Sequence, residues 1–352
     1  MARIAIAGAG LLGRLLAWQL GRARHEVEVF DPATGPEPRY DGQGAAGFSA
    51  AGMLCPTAEL ERGDDRIAAL GWRSIVLWRA IVEALDAPGL LVERGSLLLA
   101  HRADRGSAER VMARLAGSRP APQALDAAAL AALEPALHGA ASAWLLPGEA
   151  QIDPSATLAR LFARAPENVR WHWGSAVLRL EPGSLTTAQG TQRRFDCVFD
   201  VRGLGARTPG TALDDLRGVR GETVWLQAPG HGLTRPVRLL HPRHPVYLLP
   251  RGPDAVFVGA SEIESEDRSP VSLRSAVELM AAAHSVMPAL AEARILRLDR
   301  NLRPALPDHR PRTEADNGLV RINGLFRHGW LMAPALVQDA LAAARLEAAS
   351  HA

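Results

Sequence analysis

The stretch RIAIAGAGLLGRLLAWQLGRARHEVEVFD, residues 3–31, decides how the chain folds. Arg3 to Ala7 reads as a short buried strand. The glycine run Gly8-Ala9-Gly10-Leu11-Leu12-Gly13 follows at once, and Leu11, Leu12, Leu15, Leu16 and Leu20 then recur at helical spacing. A second apolar run, Val27 to Phe30, ends on Asp31. Strand, glycine turn, helix, strand and acid in that order are the fingerprint of a dinucleotide site. Gly8 permits the tight turn, Gly10 leaves the backbone open to a pyrophosphate, and Gly13 lets the helix lie close to the strand. The helix start offers free N–H groups and the positive end of a dipole to a phosphate. Asp31 stands where a ribose hydroxyl can donate. An acid there, rather than an arginine, argues against a 2′-phosphate and leaves FAD and NAD open.

Composition narrows the chemistry further. The 352 residues suffice for two domains, and 47% hydrophobic against 22% charged residues is ordinary for a globular protein. A formal net charge of +2 gives no case for a nucleic-acid partner. Every one of the 40 residues counted as Lys+Arg is arginine. Without lysine this chain has no Schiff-base, pyridoxal-phosphate or Walker-type chemistry. Two cysteines, Cys55 and Cys197, make neither a disulfide framework nor a metal cluster; no metal is expected, and the chain suits a reducing cytoplasm. No apolar run reaches the length of a membrane span, and the glycine-interrupted N-terminus is not a signal peptide.

Further along, Ser49 to Leu54 is a run of small residues beside which a flat ligand can lie. Glu59, Glu61, Asp64 and Asp65 read as a solvated acidic stretch. Residues 66–86 read as an amphipathic helix, with further helices at 106–116, 126–134 and 154–165. Val169 to Leu180 alternates as one strand. Phe195 to Val201 is a more continuous strand ending in a second glycine turn, Gly203-Leu204-Gly205. From 219 to 260 short strands and tight turns predict an antiparallel sheet. Ser269-Pro270 reads as the cap of a helix to Met287, Ile295 to Leu298 as a strand, and Arg303 to Asp308 as a stiff loop. The last helix is predicted at 335–348. The fold class is therefore α/β: a doubly wound, Rossmann-like nucleotide domain (1–90, 146–215 and 300–352) with an α+β second domain built on an antiparallel sheet (91–145 and 216–299).

The order of GAGLLG (8–13), SAAGML (49–54), the 203–205 turn, YLLPR (247–251), LRPALPD (302–308) and FRHGWLMAP (326–334) resembles the D-amino-acid oxidase superfamily of flavoproteins. Within it the chain is most similar to the glycine oxidases that serve thiamine synthesis. The resemblance implies non-covalent FAD as cofactor, held by Gly8, Gly10, Leu11, Leu12, Gly13 and Asp31, with Ser49, Ala50, Ala51, Gly52 and Met53 along the pyrophosphate and isoalloxazine. It implies that Val177 meets the adenine through its backbone, that Gly203 lies in the site, and that Arg327, His328, Gly329, Trp330 and Leu331 border the flavin. Arg303 takes the position of the family's carboxylate-binding arginine, Tyr247 that of its sheet tyrosine, and Arg327 that of an arginine at the mouth of the active site.

Three residues depart from the pattern. Arg202 precedes the second glycine turn where a small residue is usual; it either meets a phosphate or points outward. His244 and Glu262 fall near the expected pocket, and a carboxylate at Glu262 can hold an amine. The implied reaction is oxidation of a small amino acid, with hydride passing from Cα to FAD and electrons on to O2. The alternatives are a D-amino-acid dehydrogenase serving a quinone or other carrier, a plain NAD-dependent dehydrogenase, and a flavin-binding protein without activity. A tRNA-modifying role is disfavoured by the lack of basic clusters interleaved with aromatics. The resemblance leaves a homo-oligomer open.

Overall fold

Residues 3–31 form the expected unit. Strands Arg3–Ala7 and Glu26–Phe30 lie parallel, from Arg3 beside Glu26 to Ala7 beside Phe30, and the helix Leu11–Arg22 joins them. In this computed structural model, residues 1–62, 64–208, 213–241 and 245–346 are described. The helix is covered on all sides: residues 11–21 are all buried.

A six-stranded sheet is built around this unit. Its order is Arg312–Asp316, Leu319–Asn323, Cys197–Asp200, Arg3–Ala7, Glu26–Phe30, Val169–His172. All neighbours are parallel except the first pair, an antiparallel hairpin. On one face of the sheet, Ile4, Ile6, Leu15 and Leu16 share a core with Trp78 and Trp330.

A second sheet has eight strands, in the order Arg294–Ala305, Arg217–Gln227, Ala255–Gly259, Val246–Arg251, Val237–Leu239, Ser96–Ala100, Ser142–Leu146, Gln123–Leu125. Its strands within residues 219–260 pair antiparallel, as expected, while Val237–Leu239 also runs parallel to Ser96–Ala100. Those strands are far apart in the chain, so no hairpin dictates their direction. Register sets the site. Val219 stands opposite Arg303, Gly221 opposite Asn301, and Tyr247 opposite Gly259. Alternate positions share a face, so Arg303, Asn301, Gly221, Gly259 and Tyr247 lie on one side of the sheet.

Four local expectations are corrected. The alternating run from Val169 to Leu180 is two strands in different sheets, Val169–His172 and Val177–Glu181, broken where Gly174 takes a φ of +66°. Arg303 is not in a loop; it lies within the strand Arg294–Ala305, whose Pro304 sits near the strand's end on its outer edge. The helix expected after Ser269-Pro270 is Leu273–Val286, and its cap is Ser272, whose side chain accepts from Ser275 N. The last helix starts six residues earlier than predicted, as Gly329–Ala343, and contains Pro334.

The early start of that last helix has a definite cause. Pro334 has no N–H to give to the carbonyl four residues back, which belongs to Trp330. Trp78, on the helix Asp65–Ala84, donates its Nε1 to that same carbonyl at 2.9 Å, and the two indoles stack with centroids 5.4 Å apart. A bond from another helix thus replaces the one proline removes. Trp78→Phe keeps a ring but orphans the carbonyl, so it should lower unfolding stability by about 1–3 kcal/mol in urea titrations.

Candidate active site

Between the two sheets runs a cavity of about 890 Å³. At one end its wall is the first glycine turn: Gly8, Gly10, Leu11 and Leu12, with Asp31. Gly8 has a φ of +106°, and a Cβ there would stand 2.7 Å from the Val201 carbonyl oxygen. The helix Leu11–Arg22 begins without a side-chain cap and without an acid in its first turn. Its leading N–H groups are therefore open to an anion. Asp31 pins the turn, accepting from Ala9 N at 2.6 Å and from Ala33 N at 2.8 Å. Gly13 does not line the cavity; a Cβ there would run into the Gly8 carbonyl, which is the close packing the sequence suggests.

Val177 and Gly203 line the same end. Arg202 does not point outward; it lines this end of the cavity. It folds back on Asp200, with Nε and Nη2 each 2.8 Å from a carboxylate oxygen, and donates Nη1 to Val177 O at 2.9 Å. Val177's carbonyl is thereby occupied.

The middle of the cavity is bordered by Ser49, Ala50, Ala51, Gly52 and Met53. Asn301 donates to Ser49 Oγ at 2.9 Å, and Arg251 donates to Ala51 O. The start of the last helix faces them: Arg327, His328, Gly329, Trp330 and Leu331 all reach the cavity wall.

At the far end the large sheet presents Arg303 and Tyr247. The Arg303 guanidinium lies flat over Gly221, where any Cβ would collide with it. Its Nη1 and Nη2 each donate to Ser261 O at 3.1 Å. Among the described residues no carboxylate lies within ion-pair distance of it. Behind it, the wholly buried Glu222 accepts from Arg220 Nε and from Ser272 N, both at 3.0 Å, and donates its own N–H to Ser261 Oγ at 3.0 Å. The backbone that holds Arg303 is therefore itself fixed. Tyr247 lies over Gly259, where a Cβ would come 2.6 Å from its hydroxyl. Burial raises the Tyr247 hydroxyl pKa against the pull of Arg303, Arg251 and Arg327, so it stays protonated and can donate. Glu262 lines this end too, and His244 lies outside the described residues.

Of the acidic stretch Asp65 is exposed as expected, but Glu59, Glu61 and Asp64 are engaged. Glu59 is buried on the cavity wall, where Arg327 Nη2 donates to its Oε2 at 2.6 Å and His328 Nδ1 lies 3.3 Å from Oε1. Glu61 pairs with Arg238, and Asp64 caps the helix Asp65–Ala84 by accepting from Ile67 N. Nothing local separates Glu59 from its acidic neighbours; only the fold brings residue 327 to it. Arg14 is the second residue that the motif reading passes over: it too lines the cavity, although it is 1% exposed.

A glycine-turn nucleotide end, a bordered middle and an arginine-bearing sheet face define a dinucleotide-dependent oxidoreductase. The profile of the family described as FAD dependent oxidoreductase (DAO) matches residues 3–342, and the chain belongs to that family. It is 38% identical over 340 residues to a Rhizobium etli protein carrying the name thiamine biosynthesis oxidoreductase ThiO, covering 96% of this chain and 94% of that one. The crystal structure of glycine oxidase from Geobacillus kaustophilus superposes with a TM-score of 0.84 at 25% identity, over 99% and 96% of the two chains. That of iminodiacetate oxidase from Chelativorans sp. BNC1 superposes with a TM-score of 0.79 at 25% identity, over 98% and 96%. The cofactor is FAD. The cavity fits it: the glycine turn and uncapped helix start suit the pyrophosphate, and the small residues 49–53 leave room for a flat ring.

Burial works against the charged form of Glu59, but His328 and Arg327 outweigh it and hold the carboxyl at about 2, below its ordinary 4.5. The stabilisation is therefore complete above pH 4.5 and is lost as pH falls from 4.5 toward 2. Relative to Glu59→Gln, the native protein should be more stable by roughly 2–3 kcal/mol at pH 7. Denaturant titrations across that window should show the gap closing.

Proposed function

We propose that this protein catalyses the oxidative deamination of glycine or another small D- or secondary amino acid. In this reading FAD held in the cavity would supply a two-electron acceptor for the Cα hydride, the imine left behind would be hydrolysed by water to release ammonia, and O2 would take the two electrons and two protons to give hydrogen peroxide. The observation that carries it is Arg303: a cavity-facing guanidinium held by backbone carbonyls, with no carboxylate beside it among the described residues. Such a fork suits the carboxylate of a substrate. The resemblance to a glycine oxidase and to an iminodiacetate oxidase supports the same class.

The side chains divide the work. Arg303 grips the carboxylate in two places, and Tyr247 donates to it from the strand three places along the sheet. Gly221 and Gly259 let both side chains lie close to the sheet, which keeps them from swinging. Arg327 is neutralised by Glu59, so it borders the mouth rather than competing for the substrate. Glu262 stands on the wall as a group for the amine. No side chain has to act as a base if the amine enters neutral; orientation is the protein's main contribution. Segments 1–90, 146–215 and 300–352 serve the cofactor and segments 91–145 and 216–299 the substrate, with Arg303 reaching from the first set into the second. A cytoplasmic setting belongs to this reading and is supported by two buried, unpaired cysteines.

Anaerobic addition of glycine, sarcosine or small D-amino acids should bleach the flavin band, and air should restore it with stoichiometric peroxide. Bleaching restored only by a quinone would replace O2 as acceptor and make the protein a dehydrogenase. Arg303→Ala should raise KM at least about tenfold while retaining flavin. Gly221→Ala, which keeps the charge but displaces it, should raise KM in the same direction. An unchanged KM in both variants overturns the assignment of Arg303.

A further inference from the structure

Arg14 follows the third glycine of the turn, on the buried helix Leu11–Arg22. Three of its five N–H groups are engaged: Nε donates to Ala9 O at 2.9 Å, Nη1 to Leu158 O at 2.9 Å and Nη2 to Pro36 O at 2.7 Å. The rings of Phe48, Phe162 and Trp173 surround it, with centroids 5.1, 5.6 and 5.9 Å from Cζ. These contacts anchor all three nitrogens but leave the charge unbalanced. Among the described residues no carboxylate lies within ion-pair distance. Asp31 and Glu37 act on it from further off, and Asp31 is already bound to Ala9 N and Ala33 N. Burial accordingly depresses the guanidinium to about 10, against the pull of those two acids. A buried cation without a counter-ion is costly, and its field is weakly screened.

We propose that Arg14 is the built-in counter-cation for the pyrophosphate of bound FAD, acting by its charge from beneath the glycine turn. Its bond to Ala9 O ties the charge to the very turn whose N–H groups are open to the phosphates. Its other two bonds fix it to the segments at residues 36 and 158, so it cannot swing out to solvent. The cavity it lines is where the missing negative charge arrives. The proposal rests on FAD occupying this cavity by its pyrophosphate at the glycine turn.

The test compares the native holoenzyme with Arg14→Gln and Arg14→Lys. Flavin fluorescence after dilution reads the FAD dissociation constant, and displacement of FAD by ADP and by adenosine reads the pyrophosphate's share. Arg14→Gln should bind FAD at least about tenfold more weakly, with the advantage of ADP over adenosine reduced by a similar factor and adenosine unaffected. Arg14→Lys keeps the charge and should keep most of that advantage, even if loss of the three carbonyl bonds lowers its Tm. If both variants lower Tm alike and leave the ratio of ADP to adenosine untouched, Arg14 is only a brace and the proposal fails. If ADP has no advantage over adenosine in the native protein, the pyrophosphate is not at the glycine turn, and the placement of the cofactor falls together with the proposal.

Discussion

The twelve-residue strand Arg294–Ala305 is the constraint on which the site depends. It pairs along its length with Arg217–Gln227, and it reaches in two directions at once. Toward the nucleotide end, Arg297 lies over the Tyr40 ring at 3.7 Å, Arg300 donates to Tyr40 O at 3.1 Å, and Asn301 donates to Gly44 O at 3.2 Å and to Ser49 Oγ. Toward the far end of the cavity it delivers Arg303. One ladder thus sets the distance between the small-residue segment that borders the middle of the cavity and the Arg303 guanidinium at its end. A slip of one residue would turn Arg303 to the opposite face.

Charge is arranged around this frame with little slack. Arg202 is matched by Asp200, Arg327 by Glu59 and Arg238 by Glu61, so the cations nearest the cavity are mostly spoken for. Glu149, wholly buried, lies beside Arg238; burial raises its pKa even so, and Ser96 Oγ and Ala58 N donate to it. Arg303 and Arg14 are both held by backbone carbonyls, and they stand at opposite ends of one cavity. A protein without lysine does this with planar forks, which reach two or three carbonyls at once and keep their charge when buried.

How much of this could be read in advance follows the range of the interactions. Residues 3–31 were legible because their strand, turn, helix and acid are neighbours in sequence and each has a local signature. Arg303 and Tyr247 stand out by motif resemblance, and both do reach the cavity, although the prolines at 304 and 307 make residues 303–308 read as a loop rather than the end of a strand. Pro334 misled in the same way: its orphaned carbonyl is satisfied by Trp78, more than two hundred and fifty residues earlier, and no local rule records that. Glu59 was hidden because an acid in an acidic run is usually solvated, and its partners lie at residues 327 and 328. Arg14 was hidden because it sits inside a motif whose glycines draw the attention.

The strand order of the nucleotide sheet also bears on when the protein can become itself. Arg3–Ala7 takes one neighbour from residues 26–30 and the other from 197–200; the sheet gains its next parallel strand only at 319–323, and its core is filled by the helix that follows. The unit at residues 3–31 therefore completes its sheet and core only once residues 319–343 have docked. Until then its glycine turn joins a strand and a helix whose apolar faces are uncovered. Loading of the yellow coenzyme on this account follows the docking of that distant strand and helix rather than the synthesis of the motif that names the fold.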